Sequence, residues 1–328
     1  MKELVNLAGP TIKIIERPIP EPAEGQVLIK AVVAGTNPKD WKLPDFAPGY
    51  PFEDDSMMGR SKRGLNQGDD IAGIVENVGT GVLEFKPGDR VAAFHEIATP
   101  GGSYAEYAIA WSYTIFHLPP TTSFEEGATI PLAGLTAVVA LFDQLKLPLP
   151  WIPATESVPL IVYGASTAVG SFAIKLAQLC NIHPIIGIAG NGVPFVETLI
   201  NKSKGDVVFD YRGGVAETVK NIKSYLGGTN KRVVKHAIDA AIVEQSAQVL
   251  REVVPEGGNV NFLFPNEFDV SPATKTLTNV SAAHNAYEQR RVACSGASSK
   301  GFESRQGQCC QIRRADLSKS RSCHRIWE

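Results

Sequence analysis

A run of small residues lies between an apolar segment and a stretch with helical spacing. The apolar segment is VPLIVY, residues 158–163, and the helical stretch is SFAIKLAQLC, residues 171–180. The run between them consists of Gly164, Ala165, Ser166, Thr167, Ala168, Val169 and Gly170. Small residues let a chain turn sharply and approach a pyrophosphate, while the N–H groups that begin the next helix attract its negative charge. The run therefore predicts a dinucleotide phosphate site formed by these residues, with two hydroxyls as added donors.

The glycine spacing alone does not distinguish a phosphate turn from a tightly packed strand–helix junction. It departs from G-x-G-x-x-G because position 166 is serine. The context favours nucleotide binding, since strand-like segments alternate with helical stretches from residue 157 onward. The strand-like segments are VPLIVYG, PIIGIAG, DVVFDY, VKHAIDA, GGNVNFLFP and TKTLTNVSA. Such alternation produces right-handed crossovers, so we predict a doubly wound, Rossmann-type parallel sheet as an α/β cofactor domain over residues 125–285.

The residues that follow the second strand-like segment indicate which dinucleotide binds. NAD-binding folds usually place an acidic residue there for the ribose diol, whereas this chain reads IAGNG over residues 188–192. Because an acid would repel a 2′-phosphate, its absence favours NADPH as the cofactor. Nearby donors are Asn191, Lys202, Lys204 and Tyr211, although each lysine could equally be a solvated helix end.

The first 124 residues show a different pattern of apolar and turn-forming residues. Short apolar or alternating segments are separated by Gly and Pro turns, as in TIKIIERPIP, QVLIKAVVAG, IAGIVENVG, DRVAAF and SYAEYAIA. This pattern predicts a β-barrel-type domain over residues 1–124. A predicted loop over residues 45–69 interrupts the pattern, and its polar, basic segment SMMGRSKRG (56–64) is expected to be exposed, with a functional basic patch as the alternative.

Composition excludes several classes of protein. The 328 residues include 32 Lys and Arg and 34 Asp and Glu, a net charge of −2, so no broad basic field attracts nucleic acid or anionic lipid. No apolar run is long enough for a membrane-spanning helix, and the N-terminus lacks the pattern of a secretory signal. We therefore expect a cytoplasmic protein, a monomer or homodimer, with a small-molecule substrate and no nucleic-acid or membrane partner.

Residues 286–328 differ abruptly from the rest. They hold nine basic and four acidic residues, four of the five cysteines, few large aliphatic residues and no apolar period. We expect an atypical basic tail, rich in Cys, Arg and Ser, that is disordered and adds little to the core. A basic interaction arm is an alternative, and a shifted reading frame or a retained intron would produce the same break. The other thiol, Cys180, is expected to be a buried apolar residue.

Segments in a fixed order along the chain carry a resemblance to a known family. They are AGTNPKDWK (34–42), GDDIAGIVENVG (68–79), FKPGDRVAAF (85–94), GGSYAEYA (101–108), FEEGATIPLAGLTAVVAL (124–141), VYGASTAVGSFAIKLA (162–177) and GDVVFDYR (205–212). The chain resembles the zinc-free quinone and enoyl reductase branch of the medium-chain dehydrogenase/reductase superfamily, and looks most like the fungal trans-acting enoyl reductases. The resemblance implies a GroES-like catalytic domain before the Rossmann domain, and it ends near residue 285.

The resemblance also implies roles for individual residues. Asn37 and Lys42 would line the nicotinamide and substrate pocket. Thr136 would contact the nicotinamide side, and Tyr211 would approach the adenosine phosphate. From the residues alone, Asn37 could instead be a turn residue before a proline, and Thr136 could cap or pack a helix.

The chain departs from the zinc-dependent members of this superfamily. Those members carry a Cys in the first of these segments and Gly-His-Glu in the second. Here the corresponding residues are Thr36-Asn37-Pro38 and Gly68-Asp69-Asp70. Because His95 stands alone, without thiolate partners, we predict no metal site.

Without a metal, hydride addition to an activated C=C bond is easier than polarisation of a carbonyl for alcohol chemistry. The expected activity is NADPH-dependent reduction of an enoyl or quinone-type substrate, with a carrier-protein-bound polyketide intermediate as one candidate. A carbonyl or alcohol oxidoreductase of the same superfamily is an alternative. A catalytically impaired NADPH-binding protein is another, because nothing in residues 286–328 resembles the segment that completes the catalytic domain in relatives.

Overall fold

The computed structural model describes residues 1–7, 11–51, 53, 56–228 and 233–284. The chain divides into two compact units, the first Met1–Leu135 and the second beginning at Thr136. The domain boundary at residue 124 stays a prediction, since compact units and catalytic domains need not share a boundary. The expected tail, residues 286–328, lies outside the described residues.

The first unit consists mainly of antiparallel strands. These are β1 (Lys2–Leu7), β2 (Ile12–Glu16), β3 (Gln26–Gly35), β4 (Arg63–Leu65), β5 (Asp70–Val78), β6 (Arg90–Phe94), β7 (Tyr107–Trp111) and β8 (Ile115–His117). They form one sheet in the order β2-β1-β4 and another in the order β7-β3-β5-β6-β8. Inward-facing residues of the larger sheet, including Val27, Ile29, Ile71 and Val91, are fully buried in one apolar cluster. The alternating segments of the sequence therefore enclose a core filled by side chains, as in small barrels.

The described α-helices that accompany these strands are α1 (Pro38–Phe46), α2 (Met57–Ser61), α3 (Phe124–Ala128) and α4 (Pro131–Val138), the last of which continues into the second unit. The prediction of a loop over residues 45–69 is wrong, because this stretch contains α2 and β4 and ends in buried polar residues. Asn66 is one of them: its side chain donates to Gly102 O at 3.0 Å and accepts from Gly68 N at 3.0 Å. Polar composition was misleading here because the side chain of Asn66 binds the backbone instead of water.

The second unit contains a parallel sheet. Its described strands are β9 (Leu160–Tyr163), β10 (Ile185–Ala189), β11 (Val207–Asp210), β12 (His236–Asp239), β13 (Asn259–Phe262) and β14 (Thr274–Leu277). The order is β11-β10-β9-β12-β13-β14, and every pair is parallel. The winding direction reverses beside β9, and in such sheets ligands bind outside the carboxyl ends of the strands at that reversal.

Helices cover both faces of this sheet: α5 (Ala168–Leu179), α6 (Val193–Leu199), α7 (Val215–Leu226) and α8 (Glu244–Val253). Successive residues of β9 enter different cores, because Leu160 packs in the cluster that contains Ile174 of α5, whereas Ile161 packs in the cluster that contains Leu250 of α8. The predicted fold class, a barrel-type β domain with a doubly wound α/β domain, is confirmed. Across the described ranges, no helix has both the length and the apolar character needed to cross a membrane.

Candidate functional site

The turn predicted to hold phosphate follows β9 directly. The N–H groups of Gly164 and Ala165 both donate to the carbonyl of Ile188 at 3.0 Å, which ties the turn to the end of β10. Thr167 caps α5, since its hydroxyl accepts from the Gly170 N–H at 3.1 Å and donates to Gly164 O at 2.8 Å. The side chain of Thr167 is therefore a structural cap, which stabilises the first turn of the helix.

Donors remain at the start of α5. In the part of the chain that the structure describes, the N–H groups of Ala168 and Val169 have no hydrogen-bond acceptor. The half-buried side chain of Ser166 lies next to them in sequence. N–H groups at the positive end of a helix, with a hydroxyl beside them, match the negative oxygens of a pyrophosphate.

Two glycines are required by this backbone. Gly164 has a φ of +77°, and a Cβ there would lie 3.0 Å from backbone atoms of Ala240 and Ala241. A Cβ on Gly170 would lie 2.3 Å from the carbonyl oxygen of Gly164. Helix α5 can approach β9 this closely only because position 170 carries no side chain.

The ends of β10 and β11 place further side chains at the same edge of the sheet. Tyr211 packs against Gly190, where a Cβ would lie 3.0 Å from the phenol ring. Arg212 donates to the amide oxygen of Asn191, and its Nε lies 3.0 Å from both carboxylate oxygens of Asp210. The hydrogen bonds from Arg212 lower the pKa of Asp210 to about 2, so the two form an ion pair at neutral pH. The structure thus brings together the predicted Asn191 and Tyr211.

Arg212 was missed in the sequence analysis, which considered its neighbour Tyr211 but looked for an arginine only after the second strand. It follows β11, whereas Asn191 follows β10. The available signal was the parallel pairing of these strands, in which Ala189 is opposite Asp210. Carboxyl ends of neighbouring parallel strands lie at one edge, so residues that follow both strands can share a ligand.

The two lysines considered for the cofactor lie at the opposite edge of the sheet. They belong to a short 3₁₀ turn that precedes β11. Lys204 donates to Asn181, just before β10, at 2.6 Å, and Lys202 lies 3.1 Å from Glu197. Both therefore surround the amino ends of the strands, away from the phosphate turn.

In the first unit, Asn37 precedes α1 and is held by two buried carboxylates. Its side-chain amide donates to Asp70 Oδ2 at 2.8 Å, and its backbone N–H donates to Asp40 Oδ2 at 2.8 Å. The other oxygen of Asp70 accepts the Leu132 N–H, at the start of α4, at 2.7 Å. Burial raises the pKa of Asp70 to about 7, although the hydrogen bonds from Asn37 and Leu132 oppose the rise.

A partly buried ammonium group neutralises this acidic cluster. Lys39 Nζ lies 2.5 Å from Asp69 Oδ2, 2.9 Å from Asp40 Oδ1 and 2.6 Å from the carbonyl of Gln67. Burial raises the pKa of Asp69 to about 7, and Lys39 opposes that rise. Burial also lowers the pKa of Lys39, but the attraction of the two carboxylates is larger, so that pKa is raised. Tyr104 completes the network by donating to Asp40 Oδ2 at 2.5 Å.

No function was assigned to these charged residues from the sequence. The signal that could have found them is the pair Asp69-Asp70 at the entry to an apolar strand. Charges in such a position require partners when they are buried. The partner, Lys39, lies about 30 residues earlier in the chain, so only the fold brings it to the carboxylates.

The other two residues with predicted roles in the reaction have different environments. Lys42 is exposed on α1, with its Nζ 5.6 Å from the centre of the Trp41 ring. Thr136 is buried on α4 and is the first residue of the second unit. Asn37 therefore lies directly before α1 and Lys42 lies on that helix. The roles of Asn37, Lys42 and Thr136 in the reaction stay predictions.

Metal ions in proteins are bound mainly by His, Cys, Asp and Glu side chains. Among residues 1–284, apart from the gaps given above, no group of three or more His, Cys, Asp and Glu side chains could hold a metal ion. His95 is buried, which lowers its pKa, and its Nδ1 lies 2.6 Å from the Ile109 carbonyl. Cys180 is a free buried thiol whose pKa burial raises to about 12, as expected for an unreactive core residue.

Comparisons with known proteins agree with this architecture. Residues 23–120 match the alcohol dehydrogenase GroES-like domain. The chain is 44 % identical over 290 residues to the trans-enoyl reductase fsr4 of Gibberella fujikuroi, covering 87 % of this chain and 81 % of that protein. It is 34 % identical over 207 residues to a chloroplastic quinone oxidoreductase, QR1, of Triphysaria versicolor, covering 61 % and 57 % of the two chains. A mycobacterial protein solved with NADPH shares the fold, with a TM-score of 0.63, 20 % identity and coverage of 92 % and 90 %.

The fold and these relatives together define an oxidoreductase with a nicotinamide cofactor and a small-molecule substrate. The chain belongs to the medium-chain dehydrogenase/reductase superfamily, in the group that contains the trans-enoyl reductases and quinone oxidoreductases. This confirms the resemblance carried by the sequence motifs.

Proposed function

We propose that this protein is an NADPH-dependent, metal-free reductase that transfers a hydride to an activated C=C bond in an enoyl or quinone-type substrate. The relationship to a trans-enoyl reductase at 44 % identity is the observation that carries the proposal. A carrier-protein-bound polyketide intermediate is the substrate that we favour, and the cytoplasm is the expected location.

The phosphate turn supports the dinucleotide half of this proposal. A glycine at 170 leaves room for α5 to approach β9, and the first-turn N–H groups of α5 have no acceptor in the described chain. The residues present therefore fit a pyrophosphate, which would be held by the backbone around Ser166–Val169.

The edge formed by β10 and β11 supports the choice of NADPH. No acidic residue follows β10, and Asn191 and Arg212 lie hydrogen-bonded to each other there. Arg212 is paired with Asp210 in this structure; released from that carboxylate, its fork matches a phosphate with two parallel hydrogen bonds, and the Asn191 amide adds another donor. We infer that Arg212 and Asn191 bind the 2′-phosphate while Tyr211 packs beside the adenosine.

Arg212→Ala should weaken NADPH binding about tenfold or more, about 1.4 kcal/mol, and leave NADH binding within twofold. The reason is that only NADPH carries the phosphate. Fluorescence titration of both nucleotides measures the effect. Lys204→Ala, at the opposite edge of the sheet, is the matched control and should change neither dissociation constant. Equal losses for NADPH and NADH would contradict the assignment of Arg212 to the 2′-phosphate.

The chemistry requires little polarisation of the substrate. The nicotinamide, when bound, supplies the hydride, which adds to the β-carbon of an enoyl group while a proton reaches the α-carbon. The chain's part is to donate a hydrogen bond to the substrate carbonyl, where negative charge develops, and to hold the reacting groups in place. In our proposal Asn37, Lys42 and Thr136 serve these purposes, with Lys42 or solvent as the proton source.

The activity test uses NADPH oxidation, followed by absorbance, with an enoyl thioester, a quinone and a saturated ketone in parallel. We expect turnover of the enoyl thioester or the quinone, at a rate that a metal chelator does not change. Turnover of the ketone alone would favour the carbonyl reductase alternative. Tight NADPH binding without turnover of any substrate would favour a catalytically impaired binding protein.

A further inference from the structure

We propose that Asp70 is the positioning residue of Asn37 and sets which end of its amide faces the reacting groups. This inference rests on the proposed function, in which Asn37 contacts the nicotinamide or the substrate. The geometry that carries it is a carboxylate shared between two donors. Asp70 Oδ2 lies 2.8 Å from Asn37 Nδ2, and Asp70 Oδ1 lies 2.7 Å from the Leu132 backbone nitrogen.

The surrounding fold leaves Asp70 little freedom. It is the first residue of β5 and is 3 % exposed. Gly35 pairs with it on the neighbouring strand β3. A Cβ on Gly35 would lie 2.8 Å from Asp70 Cβ and 3.3 Å from Asp70 Oδ2, so the absent side chain makes the space that the carboxylate occupies.

The donor and acceptor inventory then determines the orientation of Asn37. An ionised carboxylate can only accept hydrogen bonds, and the Leu132 N–H can only donate. Asn37 must therefore present its NH₂ group to Asp70 and direct its carbonyl oxygen elsewhere. Its backbone N–H, bound to Asp40, holds the residue in place while the amide is oriented.

Protonation of Asp70 would reverse this arrangement. One carboxyl oxygen would become a donor, and because Leu132 continues to donate to Oδ1, the added hydrogen would face Asn37. The amide of Asn37 would then be more stable when rotated, with its oxygen toward Asp70. The side of Asn37 that faces a ligand would then carry the NH₂ donor in place of the carbonyl acceptor.

Several charged groups surround Asp70. Asp69 precedes it on the same strand, Asp40 and Lys39 lie on α1, and α4 contributes the Leu132 N–H. Both acidic neighbours favour the protonated form of Asp70, while Lys39 neutralises them directly through short contacts. Burial, assisted by the two acidic neighbours and opposed by the hydrogen bonds from Asn37 and Leu132, raises the pKa of Asp70 to about 7, so both protonation states are populated near neutral pH.

The test is Asp70→Asn, which preserves shape and imitates the protonated carboxyl. Its amide oxygen can accept from Leu132 while its NH₂ donates to the Asn37 oxygen, which locks the rotated state at every pH. We expect kcat for the enoyl thioester to fall at least tenfold, with the NADPH dissociation constant within twofold of wild type. We also expect the rise of kcat through about pH 7 in the wild type to be absent in the variant.

Asp69→Asn is the matched control, because it removes the adjacent carboxylate without touching Asn37. It should keep a pH-dependent rise in kcat. Asp70→Glu is a second variant, which keeps the charge but displaces it. It should lower kcat but keep the dependence of kcat on pH. This variant also keeps the proposal testable if D70N does not fold.

A readout independent of turnover separates this proposal from the proposed function. The side-chain amide signal of Asn37, assigned by its loss in Asn37→Ser, should titrate in the wild-type ¹⁵N spectrum with a midpoint near pH 7. It should not titrate in D70N. A wild-type kcat and pH profile in D70N, or an Asn37 signal that ignores both pH and D70N, would overturn the role of Asp70. A protein without enoyl reduction but with the expected Asn37 titration would overturn only the proposed function.

Discussion

Lys39→Met should destabilise the folded protein by about 3–5 kcal/mol, the usual effect of leaving buried charges without their partner. Lys39 Nζ contacts both Asp69 and Asp40, whose side chains are 1 % and 8 % exposed. The substitution keeps most of the apolar stem and removes the ammonium group, so the change reports on charge. Urea unfolding followed by circular dichroism measures it.

The matched control for this variant is Lys146→Met. Lys146 also forms an ion pair, with Asp143 at 3.2 Å, but the two side chains are 74 % and 59 % exposed. An exposed pair of this kind contributes about 0–1 kcal/mol, so a small effect is expected. In the double variant Lys39→Met/Asp69→Asn, much of the lost stability should return, because one unpaired carboxylate is removed. Equal effects of the Lys39 and Lys146 changes would show that the buried network does not need its cation.

The same network predicts how stability depends on pH. Folding raises the pKa of Asp69 and of Asp70 from 3.8 to about 7. Between roughly pH 4 and pH 7 the folded state therefore binds more protons than the unfolded state, and these groups make the protein less stable as pH rises. Unfolding free energies at pH 4.5 and 7.5 should differ less in Asp69→Asn than in the wild type. An unchanged difference would show that Asp69 titrates near its ordinary value.

Gly170→Ala should weaken NADPH binding at least tenfold, about 1.4 kcal/mol or more. The added Cβ would lie 2.3 Å from Gly164 O and 3.0 Å from Ala165 Cα, which are backbone atoms of the phosphate turn itself. Since a methyl group cannot occupy that space, α5 must move away from β9 and take its N–H donors with it. Fluorescence titration of the folded variant with NADPH gives the affinity.

Gly134→Ala is the matched control for the turn variant, because it is another helical glycine with only ordinary contact, 3.5 Å to Ile130 Cγ2. It should bind NADPH as the wild type does. An alanine in place of glycine normally favours a helix by roughly 0.5–1 kcal/mol, so lost affinity in Gly170→Ala cannot be attributed to helix propensity. Wild-type affinity in folded Gly170→Ala would exclude this turn as the phosphate site.

Local patterns were sufficient for the elements of the second unit. Strands β9 and β10 of its parallel sheet are short apolar runs, and the long helices have a regular apolar spacing, so the local sequence indicates where these elements lie. The turn at Gly164–Gly170 could be predicted for the same reason, because its glycines, its N-cap and its helix start are contiguous in the sequence. The family followed from ordered motifs spread over most of the first 285 residues.

Residues 45–69 show where local reasoning fails. Their polar composition is typical of a solvated loop, yet Asn66, Gln67 and Asp69 are buried. Whether a polar side chain faces water or a backbone partner depends on segments far away in the chain, such as Gly102 for Asn66. Composition carries no information about those partners.

The sequence by itself therefore determined the class of fold, the family, the strand–helix turn at Gly164–Gly170 and the absence of an acid after the second strand. Only the tertiary structure decided which charged groups share a site. In the folded protein Arg212 lies beside Asn191, whereas Lys202 and Lys204 lie at the opposite edge of the sheet. Lys39 forms an ion pair with the buried Asp69. The physical reason is that helix and strand periods and turn chemistry are set by near neighbours, whereas ion pairs and shared hydrogen bonds join residues through space. The Asn37–Asp70–Leu132 arrangement depends on two such long-range contacts, and the function of its members could be inferred only once the strands and helices had brought them together.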